Sequence, residues 1–348
     1  MTRTVSPFAI ANIGAALNLL PNLYSRIGQL GVFGAPIGIP TANTTVIRRD
    51  NKVTLLSQVA RNAPSQELNR SKASGETFDI PTFKAHDLLT PSDIQGFTAF
   101  QPGPAQLESQ TDAYNRRLLA VRQPHDETHE FLRVSALKGV IVDPGTGDEL
   151  YDLFNVFGIA KKKIYFDLDN DASDIFGHIE ELEDHIANNL RGDVTTGPRA
   201  MVASDFLRKL KRHPKYEKYL LGNPVAAAQY AASRADASSP NAQRSIQLEN
   251  TIFESYTGQG NRADGSTVKY ISDGMGHAFP ENTIQTFSEF NAPPERMGQV
   301  NIAPSQCIHV YPHDLPQGKG IDLDSESCKL PLCNQPEVLV ELHAGAQP

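Results

Sequence analysis

Apolar residues return at Ile175, Ile179, Leu182, Ile186 and Leu190, the period of a helix with one buried face, and Gly192 follows as a stop. A second such period runs from residue 104 to 123 through Leu107, Tyr114, Leu118 and Val121, with Pro104 suited to a first turn. Beyond Pro124 the pattern continues in "DETHEFLRVSALKG", where Phe131, Leu132, Ser135 and Ala136 share a broad face and Gly139 ends the run. The two stretches together predict one long, kinked helix.

Period-two and short apolar runs mark the strands. "VIVDPGTGDELYDLF" predicts strand, tight turn and strand around Pro144, Gly145 and Gly147. "PRAMVAS" predicts a buried strand, after which Ser204 would cap the helix "DFLRKLKRH". Further strands are expected in "IQLENTIFESYTG", "TVKYISDG" and the closing "PEVLVELH". No repeat of solenoid length is present.

The first ninety residues behave differently. A short apolar helix (Phe8, Ile13, Leu17, Leu20) gives way to "GQLGVFGAPIGIP", which is too rich in Gly and Pro for a regular helix and reads as an arm that needs something to lie on. Residues 44–59 are β-rich and carry Arg48, Arg49 and Lys52. The next stretch, which includes Arg61, is polar and turn-forming, and "TFDIPTFKAHDLL" is extended again. This up-and-down hairpin has too few apolar residues to pack alone, so a partner surface is implied.

Composition narrows the reading. A chain of 348 residues can hold two domains or one large body with extensions. Its formal charge of −8 argues against a broad basic face for nucleic acid, although a local basic patch such as "LRKLKRHPKYEKY" remains open; a solvated face is the commoner meaning of such a run. No window approaches the roughly 18 apolar residues of a membrane span. Asn12, Gly14, Asn18 and Pro21 break the opening apolar stretch, so a mature start is expected. Three cysteines, Cys307, Cys328 and Cys333, form no even framework and suit a reducing compartment.

The stretch "RQPHDETHEFLR" raises the question of a metal. His125 and His129 stand four apart with Glu130 next, as two ligands and a base on one helix face would. Asp126 occupies the place where H-E-x-x-H needs Glu, and Thr128 the place where H-x-x-E-H needs it. Helix chemistry around Pro124, a start or a kink, accounts for the pattern better. "DLDND" likewise imitates a calcium loop through Asp167, Asp169 and Asp171, but Ala172 and His178 replace the required Gly and Glu. "GQGNRADG" reads as a turn between strands, and "CKLPLC" lacks the spacing of a zinc knuckle.

An ordered series of motifs then resembles one family. "HDETHEFLRVSALKGVIVDPGTGDELYDLFNVFGI" is similar to the central signature of the lambda-type major capsid protein E family of tailed phages. "FDIPTFKAHDLLTPSDIQGFTAF", "FPENTIQTFSEFNAPPERMGQVN" and "CKLPLCNQPEVLVELH" resemble further segments of it, with Glu281, Asn282, Pro294 and Gln335 departing from the common residues. The resemblance implies an α+β chain with the tailed-phage and herpesvirus major capsid protein fold. Its parts would be an N-terminal arm (1–40), an extended β-hairpin loop (41–95), a spine helix and peripheral domain (96–172), an axial domain (173–299) and a return to the peripheral sheet (300–348). It also implies self-assembly into hexamers and pentamers around DNA held without sequence-specific binding, and assembly in the bacterial cytoplasm into a virion shell with no membrane. A separate scaffolding protein, a portal and a decoration protein are the implied partners. No cofactor and no catalytic residue are expected; the expected inter-subunit contacts are Arg48, Arg49, Lys52 and Arg61. The competing enzyme reading is a metal-dependent hydrolase using His125, His129 and Glu130.

Overall fold

Residues 25–49, 73–95, 110–224, 245–262 and 265–348 are described by the structure, a computed structural model. Among the described residues six α-helices run in chain order: α1 Arg26–Leu30, α2 Gln110–Lys138, α3 Leu153–Phe157, α4 Ile175–Asn189, α5 Ser204–Arg212 and α6 Pro214–Gly222. The early strands are β1 Ile37–Gly38, β2 Asn43–Arg49, β3 Ala73–Asp79, β4 Thr82–Leu89, β5 Val140–Val142, β6 Glu149–Asp152 and β7 Lys162–Tyr165. After them come β8 Pro198–Val202, β9 Ser245–Leu248, β10 Thr251–Ser255, β11 Gln259–Asn261, β12 Thr267–Lys269 and β13 Met275–Pro280. The last four are β14 Phe287–Asn291, β15 His309–Asp314, β16 Ile321–Cys333 and β17 Val340–His343.

Two sheets organise these elements. The five-stranded sheet is built on β16, which pairs antiparallel with β4, β15 and β14, while β1 adds to β14 in parallel. The six-stranded sheet has the order β7-β17-β13-β8-β10-β9. The closing strand therefore lies here, between β13 and β7. Hairpins β2–β3, β5–β6 and β11–β12 stand apart from both sheets.

The helix α2 is continuous over 29 residues with Pro124 inside it, so the histidine stretch belongs to a helix interior and not to a start. Its first half packs Ala113, Tyr114, Leu118 and Val121 against Ile308, Val310 and Leu323. Its second half buries Leu132, Ala136 and Leu137 in the cluster that also holds Phe279, Leu330 and Leu332. Gly139 ends it with φ of 77°, and a Cβ there would stand 2.3 Å from the Phe154 ring, so both backbone and space require glycine. The predicted face of α4 is buried as expected, at Ile175, Ile179, Leu182 and Ile186, against the six-stranded sheet.

Three local expectations change. The strand after the 144–147 turn stops at Asp152, whose carboxylate accepts from the N–H groups of Phe154 (2.9 Å) and Asn155 (3.3 Å) and starts α3. Ser204 is the first residue of α5 rather than its cap; Ala203 holds the cap position, and the Ser204 hydroxyl meets that of Ser255 at 2.9 Å. The return strand of the hairpin is two strands, because the chain leaves the ribbon at Ile80 and Pro81: β3 pairs with β2 and β4 with β16. The arm helix expected at Phe8 to Leu20, the first turn at Pro104 and most of the hairpin's polar stretch lie outside the described residues.

Candidate functional site

The α2 positions singled out by sequence serve different surroundings. His125 sits between two serines of β16, with Nδ1 2.8 Å from Ser327 Oγ and Nε2 3.0 Å from Ser325 Oγ. Burial pushes its pKa down to about 4, so both ring nitrogens serve a neutral hydrogen-bonded contact. His129 is buried as well, and burial, reinforced by the positive Lys329 and Arg133, holds it well below the usual histidine range. Glu130 serves the opposite partner: it accepts from the N–H groups of Ile27 (2.8 Å) and Gly28 (3.3 Å), the Tyr256 hydroxyl (2.9 Å) and the Ser25 hydroxyl. His125 and Glu130 are thus committed to the fold, His129 Nε2 is buried with no hydrogen-bond partner, and among the described residues no group of three His, Cys, Asp or Glu side chains is placed to hold a metal. The acidic stretch is also occupied, with Asp169 paired to Lys209 at 2.6 Å and Asp174 to Lys215 at 3.4 Å. Those pairs belong to the basic run on α5 and α6, whose Tyr216 is a core residue.

A buried ionic frame surrounds the root of the N-terminal segment, and sequence reasoning missed it. Arg133 grips Glu289 through Nε (2.8 Å) and Nη2 (3.3 Å), and Lys329 pairs with the same carboxylate. Burial alone would raise the Glu289 pKa, but Lys329 and Arg133 outweigh it and hold the carboxyl below its ordinary range. Arg26 binds Glu254 at 2.5 and 2.9 Å; Arg199 also binds Glu254 and reaches Glu281 at 2.5 Å. Buried charges so arranged fix orientation more than they add stability, since each leaves water to form its pair. The available signal was a charge inside an apolar strand: Glu289 in "FSEFN" and Lys329 in "CKLPLC" demand partners when such strands are buried.

Arg48 and Arg49 are in β2, opposite Ser74 and Ala73 of β3, whereas Lys52 and Arg61 lie outside the described residues. A cleft of about 600 Å³ opens between β2 and β14, lined by Val46, Ile47, Ile284, Ser288 and Phe290. Beside it Asp193 gathers residues 284–286; burial would raise its pKa, but the N–H groups of Gln285, Ile284 and Val194 and the Thr286 hydroxyl hold it down at about 2.

The family described as phage major capsid protein E matches residues 9–344. The major capsid protein of Salmonella phage Felix O1 is 31% identical over 98% of both chains. Among solved structures, one described as the capsid protein of a prophage of E. coli CFT073 has a TM-score of 0.60 at 14% identity, covering 97% of this chain and 99% of its own. The mature capsid of bacteriophage PhiM1 has a TM-score of 0.51 at 12% identity, covering 95% of this chain and 89% of its own.

Proposed function

This chain belongs to the phage major capsid protein E family, and from that membership we propose how it builds a shell. It is a major capsid protein with the α+β fold of phage capsid proteins. Copies close into hexamers and pentamers, and these tile an icosahedral shell around double-stranded DNA. The family match over nearly the whole chain carries this reading. The formal charge of −8 supports the DNA part, because a net negative chain repels phosphates instead of gripping them. The segments act as an arm (1–40), an extended loop (41–95), a spine with peripheral domain (96–172), an axial domain (173–299) and a final part (300–348). Residues of the final part enter both sheets. The ribbon cations Arg48, Arg49, Lys52 and Arg61 contact neighbouring subunits, and a separate scaffolding protein, a portal and a decoration protein complete the particle. Assembly takes place in the host cytoplasm.

Negative-stain electron microscopy of the purified chain, alone and with a scaffolding protein encoded beside it, tests the reading. Shells, tubes or rings of five and six are expected; small discrete particles under both conditions would overturn it.

A further inference from the structure

A sulfur, an amine and a base meet where the chain returns to the five-stranded sheet ahead of β15. In the antiparallel pair of β14 with β16, Asn291 lies opposite Lys329, and Glu289, two positions earlier in β14, shares their face. Asn291 Nδ2 donates to Cys307 Sγ at 3.2 Å, and Lys329 Nζ stands 3.9 Å from the same sulfur. Lys329 is ion-paired with Glu289, whose other partner is Arg133. Arg133 is in turn within electrostatic range of Cys307.

The three cysteines are not equivalent. Cys307 is half-buried and lines an open cavity of about 520 Å³ together with Lys329 and Arg133, whereas Cys328 and Cys333 are buried. Cys328 faces the Glu326 carboxylate at 3.8 Å, and burial pushes its thiol up. Reactive cysteines sit in partly exposed, electropositive surroundings, so a small oxidant distinguishes Cys307 from the other two.

We infer that Cys307 and Lys329 form an oxidation-dependent cross-link in which a single oxygen bridges Sγ and Nζ. One oxygen fills most of the 3.9 Å gap, while a direct sulfur–nitrogen bond would demand a far larger shift of a strand paired along its length. Hydrogen peroxide is the oxidant. Its first equivalent takes two electrons from the Cys307 thiol, giving a sulfenic acid and one water. The Lys329 ammonium then gives a proton to Glu289, which passes it to water. The second equivalent takes two electrons from the nitrogen as the sulfenic oxygen binds Nζ. The sulfenic hydrogen and one amine hydrogen leave with the two peroxide oxygens as two waters. The link removes the charge of Lys329, but Glu289 keeps Arg133 at 2.8 Å, so no buried carboxylate is orphaned. It ties the crossing from β14 to β15 onto the strand that carries the sheet.

Peptide mapping by mass spectrometry after treatment of the folded chain with hydrogen peroxide tests the cross-link. The peptides holding Cys307 and Lys329 should appear joined and heavier than their sum by about 14 Da, one oxygen gained and two hydrogens lost. Dithiothreitol should return both residues unmodified. Lys329→Arg keeps the positive charge and should lower the joined product at least tenfold, leaving Cys307 as sulfenic or sulfinic acid. Parent chain unfolded in urea before oxidation should show the same loss, because the sulfur and the amine then have no fixed contact. Oxidised Cys307 beside an unlinked Lys329 in the folded parent, faster oxidation of Cys328, or equal joining in urea would each overturn the cross-link. The parent in its folded and unfolded states decides the matter even where Lys329→Arg fails to fold.

Discussion

His125 shows what one buried side chain does to the stability of the whole. An unfolded chain protonates this histidine near pH 6.5, whereas the folded one resists until about pH 4. Between those values the unfolded state holds the extra proton, so stability falls as pH falls, by up to about 1.4 kcal/mol per unit for this group. His277, pushed down to about 3 by burial and by the nearby Lys138 and Lys161, acts in the same direction. Urea midpoints measured from pH 7 to 4 should therefore decline, and His125→Gln should flatten the decline; an unchanged slope would show that His125 is not the titrating group. Glu130→Ala should cost about 1–3 kcal/mol, the penalty of leaving several donors without their acceptor. It should also speed tryptic cleavage after Arg26, since Ser25, Ile27 and Gly28 lose their shared anchor. The sequence separated the histidines from a metal motif through Asp126 and Thr128. The two serine partners of His125, 200 and 202 residues away, leave no trace in local spacing.

Elements were legible where one face alone is buried. The helix at 175–189 has Ile175, Ile179, Leu182 and Ile186 in register with its burial, and Leu182→Ala should cost about 2–5 kcal/mol in chemical denaturation because Leu182 is fully buried. Legibility failed where a single side chain decides the outcome. Asp152 turns an apolar run from strand to helix by accepting two N–H groups, and Pro81 sits where one extended stretch becomes two strands in different sheets. β2 and β3 pair as a two-stranded ribbon outside both sheets, and Phe78 at its base is buried in the chain's main core. Arg48→Glu combined with Arg49→Glu should reduce shell formation while leaving subunit folding intact. Normal shells from that variant would remove these cations from the contact.

At the scale of the molecule, periodicity could not have supplied the topology. β4 and β16 pair across some 240 positions, and nothing in "KAHDLL" or "IDLDSES" names the other. The ordered family motifs carried that information instead, and the match over residues 9–344 agrees with them. The same scale decides the hydrolase alternative. With His125 engaged by Ser325 and Ser327, and Glu130 by the N-terminal segment, treatment with a chelator should leave both the melting temperature and particle formation unchanged. A loss of several degrees on chelation would reopen the metal question.

The placement of β16 also sets a timetable for synthesis. β4, β14 and β15 all hydrogen-bond to this one strand, which begins at Ile321, and β17, which separates β7 from β13, comes later still. A ribosome that has made nine-tenths of the chain has made neither sheet in full, because long-range pairing waits for its last partner. Products truncated before β16 would lack the strand on which the five-stranded sheet is built. Synthesis must therefore run almost to its end before either sheet can close.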